Sequence, residues 1–271
     1  YYKKFLQTGM MTMDPATGHI KAWVGGIDHK YFKFDHVKIG KRQPGSTFKP
    51  FVYTLAMQEG YSPCYKVPNS KVTIVDKFGG SWTPSNADGS YGGMLSLKQA
   101  LANSVNCVSA YLMKQFGPEA VIQVAHKMGI TTPINPFASI ALGSADISVF
   151  EMVGAYGTFA NKGIWTEPMY ITRIEDKNGV VLQEFVPRKV EAINEETAYL
   201  MLNLMEGVTK FGTGERLRGG AYHFSNPIAG KTGTTQNNSD GWFMGITPEL
   251  VAGCWVGCED RSIHFRSTGL G

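Results

Sequence analysis

Apolar and polar residues alternate at both ends of this chain and recur at three- and four-residue steps through its middle. Near the start, Met10-Met11-Thr12-Met13 is apolar and extended, Asp14-Pro15-Ala16-Thr17-Gly18 carries turn chemistry, and Ile20-Lys21-Ala22-Trp23-Val24 alternates, so a hairpin is expected. The last third has the same character over residues 228–235, 241–247 and 250–257, which predicts three further strands divided by Asn237-Asn238-Ser239-Asp240 and Pro248-Glu249. In between, Leu97, Ala100, Leu101, Ser104, Val105, Val108 and Leu112 recur as one face of a helix over residues 96–113. Further helices are expected over 48–57, 119–128, 147–159 and 195–207, with Gly129, Gly163 and Gly207 as stops. Strands at both termini around a helical middle predict an α+β fold over residues 1–271, with one antiparallel sheet and helices on its faces.

Composition narrows the function. The 271 residues are 43% hydrophobic and 18% charged, enough to enclose a buried site. No apolar run reaches the ~18 residues of a membrane span, and the first residues lack the apolar centre of a signal peptide. The chain is expected to be soluble as it stands and excised from something longer, ending at Gly269-Leu270-Gly271 without a terminal helix. A net charge of +4, scattered without a basic stripe or interleaved aromatics, argues against nucleic acid as a partner. Cys64, Cys107, Cys254 and Cys258 form no Cys-x-x-Cys pair, and neither they nor the six histidines show ligand spacing, so no metal or other cofactor is expected. The spacing Cys254-x-x-x-Cys258 reads as strand packing, and the disulfide status of the four thiols stays open.

Three short motifs carry candidate chemistry: Ser46-Thr47-Phe48-Lys49, Ser104-Val105-Asn106 and Lys231-Thr232-Gly233-Thr234. Ser46 follows a Pro44-Gly45 turn at a helix start, where free N–H groups and the helix dipole favour negative charge. Lys49, three residues on, shares its face and is a candidate base. That role requires its pKa to fall from ~10.4 to ~7–8, about 4 kcal/mol, which burial beside a second ammonium would supply. Lys231 is the candidate second cation. Ser104 and Asn106, two apart on one helical pattern, diverge unless the helix turns or ends there. Gly233, on a predicted strand, removes a side chain where another backbone can approach, and the Thr232 and Thr234 hydroxyls flank it. Each motif also has a plain structural reading: an N-cap serine with a solvated lysine, two small polar residues on a buried helix, and a charged residue guarding an edge strand.

Together these motifs closely resemble the transpeptidase domain of class A penicillin-binding proteins, bifunctional enzymes of the bacterial cell wall. The likeness extends to Met13-Asp14-Pro15-Ala16-Thr17-Gly18 with Val24-Gly25-Gly26, Arg42-Gln43-Pro44-Gly45, Ala100-Leu101-Ala102-Asn103, Gly212-Thr213-Gly214 and Gly241-Trp242-Phe243-Met244-Gly245. The resemblance implies a penicillin-binding protein and serine β-lactamase-like fold: a five-stranded antiparallel sheet flanked by helices, with an all-helical subregion carrying Ser104 and Asn106 across a cleft from Lys231. It implies a D,D-transpeptidase in which Ser46 attacks a D-Ala-D-Ala stem peptide and an amine from a second stem resolves the acyl-enzyme. Ser104 relays a proton, Asn106 holds a substrate amide, Lys231 with Thr232, Gly233 and Thr234 receives the substrate carboxylate, and the backbone N–H groups of Ser46 and Thr234 hold the oxyanion.

Peptidoglycan stem peptides and β-lactam antibiotics are the implied partners, with slow deacylation after a β-lactam reacts. The implied location is extracytoplasmic, with membrane anchoring through segments absent from this chain. The glycan-polymerising domain usual upstream, and a helix expected after Gly271 to cover the sheet, are likewise absent from the sequence. Val105 in the middle motif, and the lack of an obvious glutamate to activate water, make hydrolytic β-lactamases a poorer match. A D,D-carboxypeptidase, a β-lactam sensor and a silent scaffold are the competing readings.

Overall fold

The computed structural model describes residues 2–75, 79–219, 222–235 and 237–266. Its centre is a five-stranded antiparallel sheet formed by β1 (Leu6–Met13), β2 (Ile20–Val24), β3 (Ala229–Thr234), β4 (Asp240–Ile246) and β5 (Val251–Cys258), in the order β3-β4-β5-β1-β2. The two ends of the chain meet in its middle, where β1 runs against β5 from Leu6↔Cys258 to Met13↔Val251. The five strands expected from the alternating segments are thus present in one sheet. β3 lies at an edge, paired with β4 alone, Lys231 opposite Met244.

Alternation decides which face is buried. Met11, Met13, Met244, Val251 and Trp255 point into the core, where α5 (Val149–Ala160) and α6 (Glu195–Phe211) pack on the sheet. Met10, Phe243, Cys254 and Val256 point the other way and are half-buried. The remaining helices are α1 (Lys49–Gln58), α2 (Leu97–Ala102), α3 (Asn106–Phe116) and α4 (Pro118–Lys127). They form a helical layer with α6, in which Phe48, Phe51, Leu101, Val108, Leu112 and Met201 are all fully buried.

Local chemistry sets the helix ends. Ser96 caps α2 and Ser148 caps α5, each in a reciprocal box with Gln99 or Glu151 three residues on. Asn194 caps α6 through Thr197 N–H at 2.8 Å. Two expectations about helix ends are corrected. The single helix predicted over residues 96–113 is two helices, because residues 103–105 leave the helical path and Ser104 takes φ 55°. Gly207 does not stop α6, which runs on to Phe211. A Cβ at 207 would stand 3.0 Å from Phe211 Cζ and 3.4 Å from Ala102, so this glycine serves the approach of α2 rather than a turn.

Several two-stranded ribbons, such as Lys66–Pro68 with Met94–Ser96 and Arg173–Glu175 with Val181–Glu184, decorate the helical layer and were not anticipated. The four thiols are unpaired, and Cys254 faces Thr8 across neighbouring strands. The expectation for the chain end at 269–271 lies outside the described residues. No helix among the described residues is long and apolar enough to cross a membrane.

Candidate active site

Pro44, with φ −71°, leads into a 3₁₀ turn over Gly45–Phe48 that runs directly into α1 at Lys49. In a 3₁₀ turn residues i and i+3 eclipse, so Ser46 and Lys49 lie on one side. The Lys49 N–H closes this turn on the Ser46 carbonyl. From behind, the fully buried Tyr156 of α5 donates its hydroxyl to the Thr47 carbonyl at 2.6 Å, and Thr47 Oγ1 donates to Pro44 O at 2.7 Å. Ser46 itself is half-buried. Its backbone N–H and its Oγ have no hydrogen-bond partner among the described residues.

Lys49 is fully buried at the floor of this turn. Its Nζ reaches Ser104 O at 2.6 Å, Ser104 Oγ at 3.1 Å and Asn106 Oδ1 at 2.7 Å. Lys231, equally buried on β3, donates to the same Ser104 Oγ at 2.9 Å and to Thr232 O at 2.9 Å. The break between α2 and α3 makes this convergence possible: at φ 55° Ser104 offers both its carbonyl and its hydroxyl to Lys49. On an unbroken helix Ser104 and Asn106 would diverge. A non-glycine residue in left-handed backbone costs about 1 kcal/mol, a strain that accumulates at functional sites.

Neither lysine meets a carboxylate among the described residues. Burial, and then the nearby Lys231 ammonium, push the Lys49 amine well below the ordinary lysine range. Burial likewise pushes Lys231 down to about 7. Donor counting gives the chemical consequence. A Lys49 ammonium spends all three protons on its three acceptors, whereas the neutral amine keeps its bonds to Ser104 O and Asn106 Oδ1 and has a lone pair to accept a proton.

Asn106 is held at both ends, its Nδ2 donating to Ser85 O at 2.8 Å. Asn86, clamped to Asn69 Oδ1 and Ser90 O, accepts the Cys107 N–H and so fixes the start of α3. Thr232 Oγ1 lies 2.6 Å from Thr213 Oγ1, and Thr234 is half-buried at the strand end. The space at Gly233 is filled by the protein itself: a Cβ there would stand 2.5 Å from Pro44 O. The predicted close backbone approach therefore comes from the Ser46 turn.

The contributions of Tyr156, Ser85, Asn86 and Thr213 were missed. Thr213 stood in the quoted Gly-Thr-Gly run without a role, and the others carry no sequence signal because their contacts are made through carbonyls or across long separations.

The combination of a β-sheet edge, a serine turn and two buried lysines defines a known class of domain. The model of the penicillin binding protein transpeptidase domain matches residues 8–252, and the chain belongs to that family. Penicillin-binding protein 1A of Aquifex aeolicus (strain VF5) is 35% identical over 255 residues, 94% of this chain and 34% of that protein. Penicillin-binding protein 1A of Neisseria meningitidis serogroup A is also 35% identical, over 94% of this chain and 32% of its own length. The chain thus spans about a third of the curated relatives it matches, and the resemblance read from its motifs is borne out. Among solved structures, the PonA1 protein from Mycobacterium tuberculosis in complex with penicillin V superposes with a TM-score of 0.80 at 28% identity, covering 93% of this chain and 69% of that one. Penicillin-Binding Protein 1A from Haemophilus influenzae shares the fold at a TM-score of 0.90 and 24% identity, over 97% of this chain and 45% of that one.

Proposed function

We propose that this chain is a serine D,D-transpeptidase domain that forms peptidoglycan cross-links through an acyl-enzyme on Ser46, and that it works on the outer side of the cytoplasmic membrane as part of a longer protein. The observation that carries this reading is the hydrogen-bonded line from Lys49 through Ser104 Oγ to Lys231, buried beside the turn that bears Ser46. Two buried amines with no carboxylate beside them among the described residues are costly to keep charged, and burial lowers the pKa of both, that of Lys231 to about 7, which favours proton transfer.

In the first step Ser46 Oγ attacks the carbonyl carbon of the penultimate D-alanine, and the hydroxyl proton passes to the Lys49 amine. The C–N bond to the terminal D-alanine breaks, and Ser104 passes the proton on to the leaving amine. In the second step the amine of another stem attacks the ester, the C–O bond breaks and Ser46 regains a proton. Lys231, as ammonium, and the Thr232 and Thr234 hydroxyls receive the terminal carboxylate. Asn106 keeps one N–H and one lone pair for a substrate amide. The Ser46 and Thr234 N–H groups hold the oxyanion. β-Lactams acylate Ser46 because their strained amide stands in for the D-Ala-D-Ala bond, and PonA1, to which this chain is similar, is described in complex with penicillin V.

Intact mass after treatment with a labelled penicillin tests the reading. One covalent adduct is expected on the parent and none on Ser46→Ala; an unlabelled parent, or equal labelling of both, overturns it. A D-Ala-D-Ala peptide supplied with and without an acceptor amine then separates transpeptidase from carboxypeptidase by the presence of a cross-linked product. Acylation without turnover of either peptide identifies a sensor.

A further inference from the structure

The backbone segments that bear Ser46 and Thr234 touch each other without sharing a hydrogen bond among the described residues. A Cβ at Gly45 would stand 2.7 Å from Thr234 O and 3.2 Å from Thr234 N, so the contact is backbone on backbone. The polar groups on either side are spent elsewhere. Gly45 N–H donates to Gly143 O at 3.4 Å, and Thr47 N–H to Pro44 O at 3.2 Å. Contact alone leaves the two segments able to slide, yet an oxyanion site needs two N–H groups at a fixed separation.

One side-chain pair bridges the gap. Arg42 Nε meets Asp240 Oδ1 at 2.6 Å, with the side chains only 11% and 3% exposed. Asp240 is tied to the residue after Thr234 in both directions: Thr235 N–H donates to Asp240 O at 3.2 Å, and Asp240 N–H to Thr235 Oγ1 at 3.1 Å. Its carboxylate is further aimed by Trp255 Nε1 at 2.9 Å on Oδ1 and Ser239 Oγ at 2.8 Å on Oδ2. Arg42 stands four residues before Ser46, its guanidinium over the Trp255 ring and its Nη1 donating to Glu259 O at 3.2 Å. Backbone pairing with Ile147 ties it to the approach of α5. Its Nη2 is buried and has no hydrogen-bond partner among the described residues. Buried ion pairs are weak stabilisers and are best attested as devices of registry.

We infer that Arg42 and Asp240 are positioning residues that set the spacing between the Ser46 and Thr234 N–H groups, and so the strength of the oxyanion site. This rests on the reading of Ser46 as nucleophile. The pair's hydrogen bonds are spent on Glu259, Trp255, Ser239 and Thr235, away from the lysine cluster, so its loss is expected to act on the rate of acylation rather than on the initial encounter.

The test uses a fluorescent penicillin and resolves the non-covalent dissociation constant from the first-order acylation rate, counting only molecules that take up label. For Arg42→Gln and for Asp240→Asn the rate is expected to fall roughly 30–100-fold, the scale of a misplaced oxyanion donor, with the dissociation constant changed less than about threefold. The double variant is expected to be no slower than the slower single, since one bridge can be lost only once. Arg42→Lys, which keeps the charge and the fold but not the Nε geometry, is expected to fall between parent and Arg42→Gln.

Rates within about threefold of the parent in folded Arg42→Gln or Asp240→Asn, or a double variant as slow as the product of the singles, overturn the inference. If the parent takes no label at Ser46, the fault lies with the functional reading. If the parent is labelled and the Arg42 variants keep pace, only the bridge is wrong.

Discussion

Two buried sites hold charge in opposite ways. Glu151, in the first turn of α5, is only 9% exposed, yet its carboxylate accepts from the backbone and hydroxyl of Thr131, Thr132 and Ser148 at 2.8–3.3 Å. Burial alone raises its pKa, but those donors outweigh burial and hold it below the ordinary carboxylate range. Lys49 and Lys231 are buried more completely and share a single hydroxyl, with no carboxylate between them among the described residues. A charge ringed by opposing dipoles is fixed in one protonation state and knits loops together, whereas a buried charge beside a like one gives up its proton more readily. What differs is the kind of partner: Glu151 meets only donors that favour its charge, whereas Lys49 has a second amine beside it and no carboxylate among the described residues.

The sharpest way to break this contrast is Lys49→Met, which removes the candidate base and fills its space with an apolar chain. Acylation by penicillin is expected to slow about 10³-fold, while the thermal midpoint changes little, because removing a desolvated amine offsets the loss of its bonds to Ser104 O and Asn106 Oδ1. A large loss of stability with an intact acylation rate would reverse the assignment.

Glu151→Ala should do the opposite. It strands several buried donors, so about 3 kcal/mol of stability, or roughly 6–12 °C of the midpoint, is expected to go, with the acylation rate of folded molecules nearly unchanged.

The most diagnostic effect is in pH. Lys231 falls from 10.5 unfolded to about 7 folded. In between, the unfolded chain holds a proton that the folded one lacks, so stability rises with pH across that window by at most about 1.4 kcal/mol per unit. Glu151 has its folded value depressed below 4.5, so its contribution is present above that value and is lost as pH falls through the folded pKa. Denaturant titrations of the parent against Lys231→Met should therefore diverge on the alkaline side, and those against Glu151→Gln on the acid side. Parallel curves on either side would remove the corresponding half of the comparison.

Much of this is legible in the sequence. Strand alternation at the two ends gave the sheet, and the spacing from Ser46 to Lys49 gave a shared face within one turn. The bend at Ser104 was legible only as a condition for Ser104 and Asn106 to converge, because Leu101, Val105 and Val108 continue the helical period across it. Tertiary contacts to Lys49 and Lys231 select the left-handed residue there, and local propensity is silent about them. Arg42 and Asp240 lie 198 residues apart, and Asp240 read only as part of a turn. Gly207 misled for a related reason, since a glycine that admits a neighbouring helix looks the same in sequence as one that ends its own.

The left-handed bend at Ser104 sets a conflict at one position. A glycine there would relax the backbone but delete the hydroxyl both amines share, and a residue that prefers the helix would straighten the joint and swing the carbonyl away from Lys49. Selection for a sturdier protein and selection for a faster one would pull this residue in different directions, so the bend is a place where resilience is given up to gather two buried amines on one hydroxyl.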